Sequence, residues 1–329
     1  MPPHFPDPAL SANIYCSGLL DRAISQAIVP FWKGFQPHDP DRLCYLWLVR
    51  YGAGGEHLKV RVHGPGHMRP FLEKLLEERV AAFLGSLPEL VAAPPLQQER
   101  VPAIDAEDGQ GPRPDRTLLW TTYRRSDVSL GGKPLLSDDR YAALLTRCLA
   151  AGCEVMLLSK PDTHASLFRQ RSLLWALITG LAALDYPAEK RAEYLAYHRD
   201  WLLRSLLPPH LRFEAESVSQ LHHRLDERIA QSGGFLQSLQ KVADTAWSGG
   251  ATATLDRGGP EELWPQALAD LLAYVSPLCQ DPTYRLDPFA SDPAFAPLFK
   301  AFHGFANQLG LRREDEAFLH HALLRITTP

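Results

Sequence analysis

Residues 43–63 read LCYLWLVRYGAGGEHLKVRVH, and this stretch decides the fold class. From Leu43 to Tyr51 the run is aromatic and aliphatic, with Arg50 its only charge, which suits a strand with little water on either face. The glycines of YGAGGE at 51–56 make a turn longer than a tight two-residue connection. From His57 to His63 the pattern alternates strictly: Leu58, Val60 and Val62 point one way, and His57, Lys59, Arg61 and His63 the other. The two runs predict a β-hairpin. Its polar face has two readings. One is the wet side of an antiparallel sheet. The other is an anion-binding face, because all four residues are basic or can become so and no acid is interleaved.

Working outward, Asn13–Ser17 reads as a further strand and Leu19–Val29 as an amphipathic helix stopped by Pro30. Residues 70–84 are helical, with Phe71, Leu75, Leu76, Val80 and Phe83 near a 3.6-residue period. Residues 92–116, rich in proline and charge, are expected to be a surface loop. Residues 118–125 (LLWTTYRR) resume a strand, with Tyr123 and Arg125 on one face and Arg124 on the other. Beyond Ser137 the spacing predicts helices at 138–150, 164–183, 188–205, 215–245, 262–275, 293–308 and 313–326. The class expected is α+β, one domain over 1–329. Its sheet-bearing half is 1–160 and its helical half 161–329, with a mixed or antiparallel sheet in the first.

The 329-residue chain is 45% hydrophobic and 22% charged, and its 34 Lys+Arg against 38 Asp+Glu leave a formal charge of −4. No basic run exceeds a pair, which argues against a nucleic-acid surface or a polybasic membrane anchor. The longest uncharged stretch, between Arg171 and Asp185, falls short of the ~20 apolar residues that span a bilayer. The N-terminus lacks the basic start and apolar core of a secretory signal, so the cytosol is the expected location. Cys16, Cys44, Cys148, Cys153 and Cys279 are dispersed and odd in number, without a C-x-x-C pair, against a disulfide framework or a structural zinc site.

Metal and cofactor motifs fail on inspection. Gly64-Pro65-Gly66 separates His63 from His67, and His222 and His223 are adjacent, so neither pair is aligned on a helix face. There is no G-x-S-x-G, Walker loop, H-E-x-x-H or G-x-G-x-x-G, so no cofactor is expected. Near the C-terminus FLHHALLRI carries His320, His321 and Arg325. Phe318, Leu319, Ala322, Leu323 and Ile326 make the buried stripe, with the two histidines on opposite borders of it. Periodicity does not choose between them.

Three separated segments share a resemblance. LVRYGAGGEHLKVRVHG (48–64) resembles the "RY-x-x-x-x-HLRLR" hairpin of the C-terminal domain of class I lantibiotic dehydratases and related thiopeptide-type bacteriocin biosynthesis proteins. TTYRRSDVSLGG (121–132) is similar to that domain's "TYEREVERYGG", matching at Tyr123, Arg125, Gly131 and Gly132. FLHHALLRI (318–326) is similar to its "HM-x-x-NRL" helix, matching at His320 and Arg325. The order agrees, and the likeness covers nearly the whole chain.

The resemblance implies a lyase that eliminates glutamate from glutamylated Ser or Thr of a precursor peptide, leaving dehydroalanine or dehydrobutyrine. It implies Arg61 and Arg125 as anion and enolate stabilisers and His320 as the proton-transfer residue. His57, Lys59, Tyr123 and Arg325 would contact substrate. Arg keeps its charge at any working pH and His exchanges a proton near neutrality, which suits each to its role. Lys59 stands where the family more often has Arg, so the two-pronged hold on a carboxylate is lost there. Val128, Ser129 and Leu130 interrupt the second motif, Ser126 replaces a Glu, and Leu324 replaces the Asn before Arg325. Such erosion suits an alternative, a pyridine synthase-like formal aza-[4+2] cyclisation of two dehydroalanines with leader release. A catalytically silent peptide-binding subunit is a further alternative. The partners implied are the precursor peptide and a separate glutamylating dehydratase subunit, since 329 residues do not hold both halves of a class I dehydratase. A second copy of the chain is a further candidate partner, and transfer RNA would be handled elsewhere.

Overall fold

The computed structural model describes residues 8–51, 56–87, 97–101, 116–121, 134–158, 166–248, 260–287 and 290–328. The fold is α+β, and the chain divides into two compact units. The first comprises Met1–Gly132 with Leu136–His164, the second Lys133–Leu135 with Ala165–Pro329.

The first unit is built on a five-stranded mixed sheet in the order β2-β3-β1-β5-β4. Strand β1 is Pro8–Tyr15, β2 Tyr45–Tyr51, β3 His57–His63, β4 Gln97–Val101 and β5 Thr117–Thr121. The expected hairpin is present: β2 and β3 are antiparallel with Trp47 opposite Arg61 and Tyr51 opposite His57. β1 pairs antiparallel with β3 on one side and β5 on the other. Within 92–116, expected to be a surface loop, Gln97–Val101 instead joins β5 as a parallel edge strand. Its charged, proline-flanked composition hid a strand held by backbone pairing rather than by an alternating apolar pattern.

Helix α1 (Leu20–Ala23), a π-helical turn (Ile24–Ile28) and α2 (Val29–Phe35) run on without a break. Pro30 was expected to end this helix and does not. Proline lacks the N–H for the bond one turn back, and a widened turn accommodates that missing bond, so the helix resumes instead of stopping. Asp21 ties the start of this element to β2 through Arg50, 2.6 Å away. Helix α3 (Arg69–Gly85) packs against the π turn and β1, burying Leu72, Leu76, Val80 and Phe83. Helix α4 (Asp139–Leu158) lies against β2. It is long and apolar enough to cross a bilayer, yet 67% of its most apolar window is buried, as in a core helix.

The second unit is helical: α5 (Ser166–Ala183), α6 (Ala188–Leu206), α7 (Ala215–Ala230), α8 (Phe235–Ser248), α9 (Pro260–Leu278), α10 (Phe295–Leu309) and α11 (Arg313–Thr327). The helix expected over 215–245 is two, broken at Ser232-Gly233-Gly234, where Gly233 adopts a φ of +55° that other residues avoid. Close approach of three helices depends on Gly180. A Cβ there would sit 2.7 Å from Leu268 Cδ1 and 2.9 Å from Phe302 Cζ. The α6–α11 pair is the most extensive helix contact in this unit, and both helices turn polar residues into it.

Candidate functional site

The basic face of β3 is not solvated. His57, Lys59, Arg61 and His63 are all buried, which overturns the wet-face reading. The period-2 register explains how such a face is tolerated. Tyr45, Trp47 and Tyr51 of β2 and Tyr15 of β1 lie on the same side of the sheet as the four basic residues. Lys59 Nζ sits 3.9 Å from the centre of the Tyr51 ring, and His57 packs between Tyr15 and Tyr51 at 4.4 and 5.3 Å. His63 stacks with Trp47. Aromatic faces make part of the surroundings of these basic groups. Arg61, wholly buried, donates from Nη1 to the Ala12 carbonyl at 2.9 Å, to Asn13 Oδ1 at 3.1 Å and to its neighbour's carbonyl, Val60 O, at 3.1 Å. This nitrogen ties β3 to β1. Tyr123 and Arg125 lie outside the described residues. Arg61 belongs to the first unit, and His320 and Arg325 to the second.

In the second unit, α6 and α11 assemble a buried polar cluster around His320. Spacing of four places Tyr194 and His198 on one face of α6, and Glu316 and His320 on one face of α11. The Tyr194 hydroxyl lies 3.0 Å from His198 Nδ1, and His198 Nε2 lies 3.1 Å from Glu316 Oε1. The other carboxylate oxygen, Glu316 Oε2, lies 2.8 Å from His303 Nδ1 on α10. Burial alone would raise the Glu316 carboxyl, but the charge of His303 and hydrogen bonds from His198 and His303 hold it well below the usual carboxylate range. Glu316 is therefore an anion that accepts from two imidazoles. Burial lowers His198 despite the pull of Glu316, so His198 is neutral. Its Nε2–H donates to Glu316, and its Nδ1 accepts from the Tyr194 O–H.

His320 is wholly buried, with its ring centre 3.8 Å from that of His198. Its Nδ1–H donates to the Glu316 backbone carbonyl at 2.9 Å. Burial, and then the neighbouring His198, push the His320 imidazole down to about 3. A neutral ring whose proton is on Nδ1 leaves a lone pair on Nε2, and this buried nitrogen has no hydrogen-bond partner among the described residues.

His321, the next residue, is also buried but fully engaged. Its Nε2 lies 2.9 Å from Asp226 Oδ1, and its Nδ1 lies 3.2 Å from Arg199 Nη1. Arg199 in turn donates to Asp200, which also bonds His222. Arg325 is largely exposed, with its Nε 3.9 Å from Asp226. Periodicity left the two histidines equivalent, whereas their partners separate them.

His198, Glu316 and His320 offer donor atoms within 4.8 Å of one another, so a shared metal ion is a geometric question. Two imidazoles on one tetrahedral ion would have ring centres about 5 Å apart, each aiming a lone pair at the ion. Here the rings lie 3.8 Å apart at 43°, and the His198 nitrogen that faces Glu316 carries the hydrogen-bonding proton. The group is arranged for hydrogen bonding and stacking, not chelation. On the solvent side, a cavity of about 370 Å³ lined by Leu206, His303, Asn307, Leu311, Arg312, Arg313 and Glu314 reaches the cluster at His303.

Sequence reasoning named His320 but not the residues packed around it. Glu316 follows Glu314 and Asp315 in the first turn of α11, where acids are expected to face water and complement the helix dipole. The available signal was a polar pair at a spacing of four on the buried side of each helix, Tyr194/His198 and Glu316/His320.

Two solved structures share the fold along nearly their whole length. One is titled "Pyridine synthase, TbtD, from thiomuracin biosynthesis", with a TM-score of 0.63, 15% identity, and 97% of each chain covered. The other is TsrL, with a TM-score of 0.52, 14% identity, and 96% of this chain and 93% of that one covered. No curated protein matches by sequence. The family model described as "Lantibiotic biosynthesis dehydratase C-term" matches residues 10–327. With the model spanning nearly all of it, the chain belongs to the lantibiotic dehydratase C-terminal family, whose members serve the biosynthesis of ribosomally made, modified peptides of the lantibiotic and thiopeptide type.

Proposed function

We propose that this protein eliminates glutamate from glutamylated Ser or Thr residues of a precursor peptide, leaving dehydroalanine or dehydrobutyrine. The observation that carries this reading is the bare Nε2 of His320, a buried neutral base whose other nitrogen is fixed by the Glu316 carbonyl. In the reaction the peptide Cα–H bond breaks and its proton goes to Nε2. The electron pair forms the Cα=Cβ bond, and the Cβ–O bond breaks to release glutamate as a carboxylate. The developing enolate and the departing carboxylate both need positive charge, and Arg61 and Arg125 are the proposed sources because a guanidinium stays charged throughout. His57, Lys59, Tyr123 and Arg325 are proposed to contact the peptide. A separate subunit would add the glutamate, in the cytosol.

The likeness to a pyridine synthase over 97% of both chains favours a second reading, cyclisation of two dehydroalanines with loss of the leader and water. Incubation with a glutamylated precursor peptide, followed by mass analysis, separates the two. Loss of one glutamate per modified residue supports elimination. No glutamate loss, together with leader loss from a dehydrated peptide, supports cyclisation, and binding without a mass change overturns both.

A further inference from the structure

We propose that Glu316 and His198 are positioning residues for His320. This deepens the elimination reading and rests on it. The proposed chemistry makes two demands on His320. To accept a proton it must keep Nε2 bare and aimed, and it must then carry a positive charge in a wholly buried place, where an unpaired charge is costly.

The cluster bears on both needs. The Glu316 backbone carbonyl holds the His320 proton on Nδ1, and the His198 ring packs against the His320 ring at 3.8 Å. His198 is itself pinned at both ends, by Tyr194 at Nδ1 and by Glu316 at Nε2. Phe299 closes the other side, stacked on His303 at 5.3 Å and packed on His198 at 4.4 Å. The His320 ring therefore has little freedom to turn. The Glu316 carboxylate supplies the charge. It lies within 4.8 Å of a His320 ring nitrogen and opposes the burial and the neighbouring His198 that keep the resting imidazole neutral. The titratable groups that bear on His320 are His198 from α6, His303 from α10 and Glu316 from α11. Among them only the carboxylate favours the protonated form.

This arrangement differs from a base held end-on by a carboxylate. Here the backbone of one residue sets the tautomer and the side chain of the same residue supplies the counter-charge, with an intervening imidazole as the spacer. His303 links the carboxylate to the solvent-side cavity.

The test uses the full-length chain labelled with ¹⁵N-histidine, with glutamate release from a glutamylated precursor followed in parallel. In the wild type, the His320 signals, assigned by their loss in His320→Gln, are expected to show one protonated and one bare ring nitrogen. Glu316→Gln removes the charge and keeps the shape. It is expected to shift those signals and to lower kcat by about 10²-fold with little change in KM. Glu316→Asp restores the charge and is expected to recover part of the rate. His198→Gln keeps a donor for Glu316 but removes the stacked ring, and it is expected to turn the fixed pattern into that of a tautomer-exchanging imidazole. If Glu316→Gln does not fold, His198→Gln carries the test. Unchanged His320 signals with kcat within twofold of wild type in these variants would overturn the proposal. A wild type that releases no glutamate would instead defeat the elimination reading, and the ring-nitrogen spectra would still decide whether Glu316 and His198 hold His320.

Discussion

His320 and His321 are neighbours on one helix, both buried, and their surroundings are opposite in character. His321 faces a chain of charges that reaches the surface: Asp226 with its side chain 46% exposed, Arg199, Asp200 and His222. Each of its ring nitrogens has a partner. His320 faces the interior, where a single buried carboxylate is shared between two other imidazoles and its own Nε2 is left bare. The difference teaches that burial alone does not mark a reactive histidine. A buried ring with both nitrogens bonded has no lone pair to spare, whereas one with its proton fixed on one nitrogen keeps a lone pair on the other.

The sharpest way to break this comparison is to remove each ring. His320→Gln is expected to lower the rate of glutamate release by at least 10²-fold, whereas His321→Gln leaves the rate within a few-fold, as measured by single-turnover release. The next contrast is in stability. Glu316→Ala removes the acceptor shared by two imidazoles and is expected to cost about 1–3 kcal/mol in denaturant unfolding, because the His198 Nε2–H stays buried without its acceptor.

A smaller effect is expected in the pH dependence of folding. The folded-state value of His320 is depressed to about 3, so between the ordinary histidine range and that value the unfolded chain binds a proton that the folded chain refuses. Stability must then fall as the pH drops through this window, by up to ~1.4 kcal/mol per pH unit from this group. Glu316, also depressed, acts in the same direction below the ordinary carboxylate range. Urea unfolding between pH 7 and pH 4 should therefore show a shallower slope in His320→Gln than in the wild type. The smallest effect belongs to the outer network. Asp226→Ala removes a half-exposed partner that water replaces in part, and it is expected to cost about 1 kcal/mol or less.

Much of the architecture was legible because it rests on periodicity. The hairpin over 43–63 and the helices of the second unit follow the apolar spacing to within a few residues at most ends. Elements governed by other physics were not. Pro30 reads as a stop, but a π turn absorbs it, and β4 has no alternating pattern because its place depends on backbone pairing with β5. The basic face of β3 was visible as a pattern, yet its burial was not. The compensating aromatic rings come from β2 and β1, and only the register brings Tyr51 and Tyr15 to Lys59 and His57. Around His320 the limit was distance along the chain. His198 and Glu316 are 118 residues apart, and no local rule joins them.

The comparison between the two histidines finally rests on which of them touches the reaction. Treating one glutamylated precursor peptide with wild-type protein and with His320→Ala, both checked to be folded, and recording the masses tests this directly. The account predicts glutamate loss with the wild type and an intact glutamyl ester with the variant. Equal glutamate loss from both would remove His320 from the chemistry and contradict it.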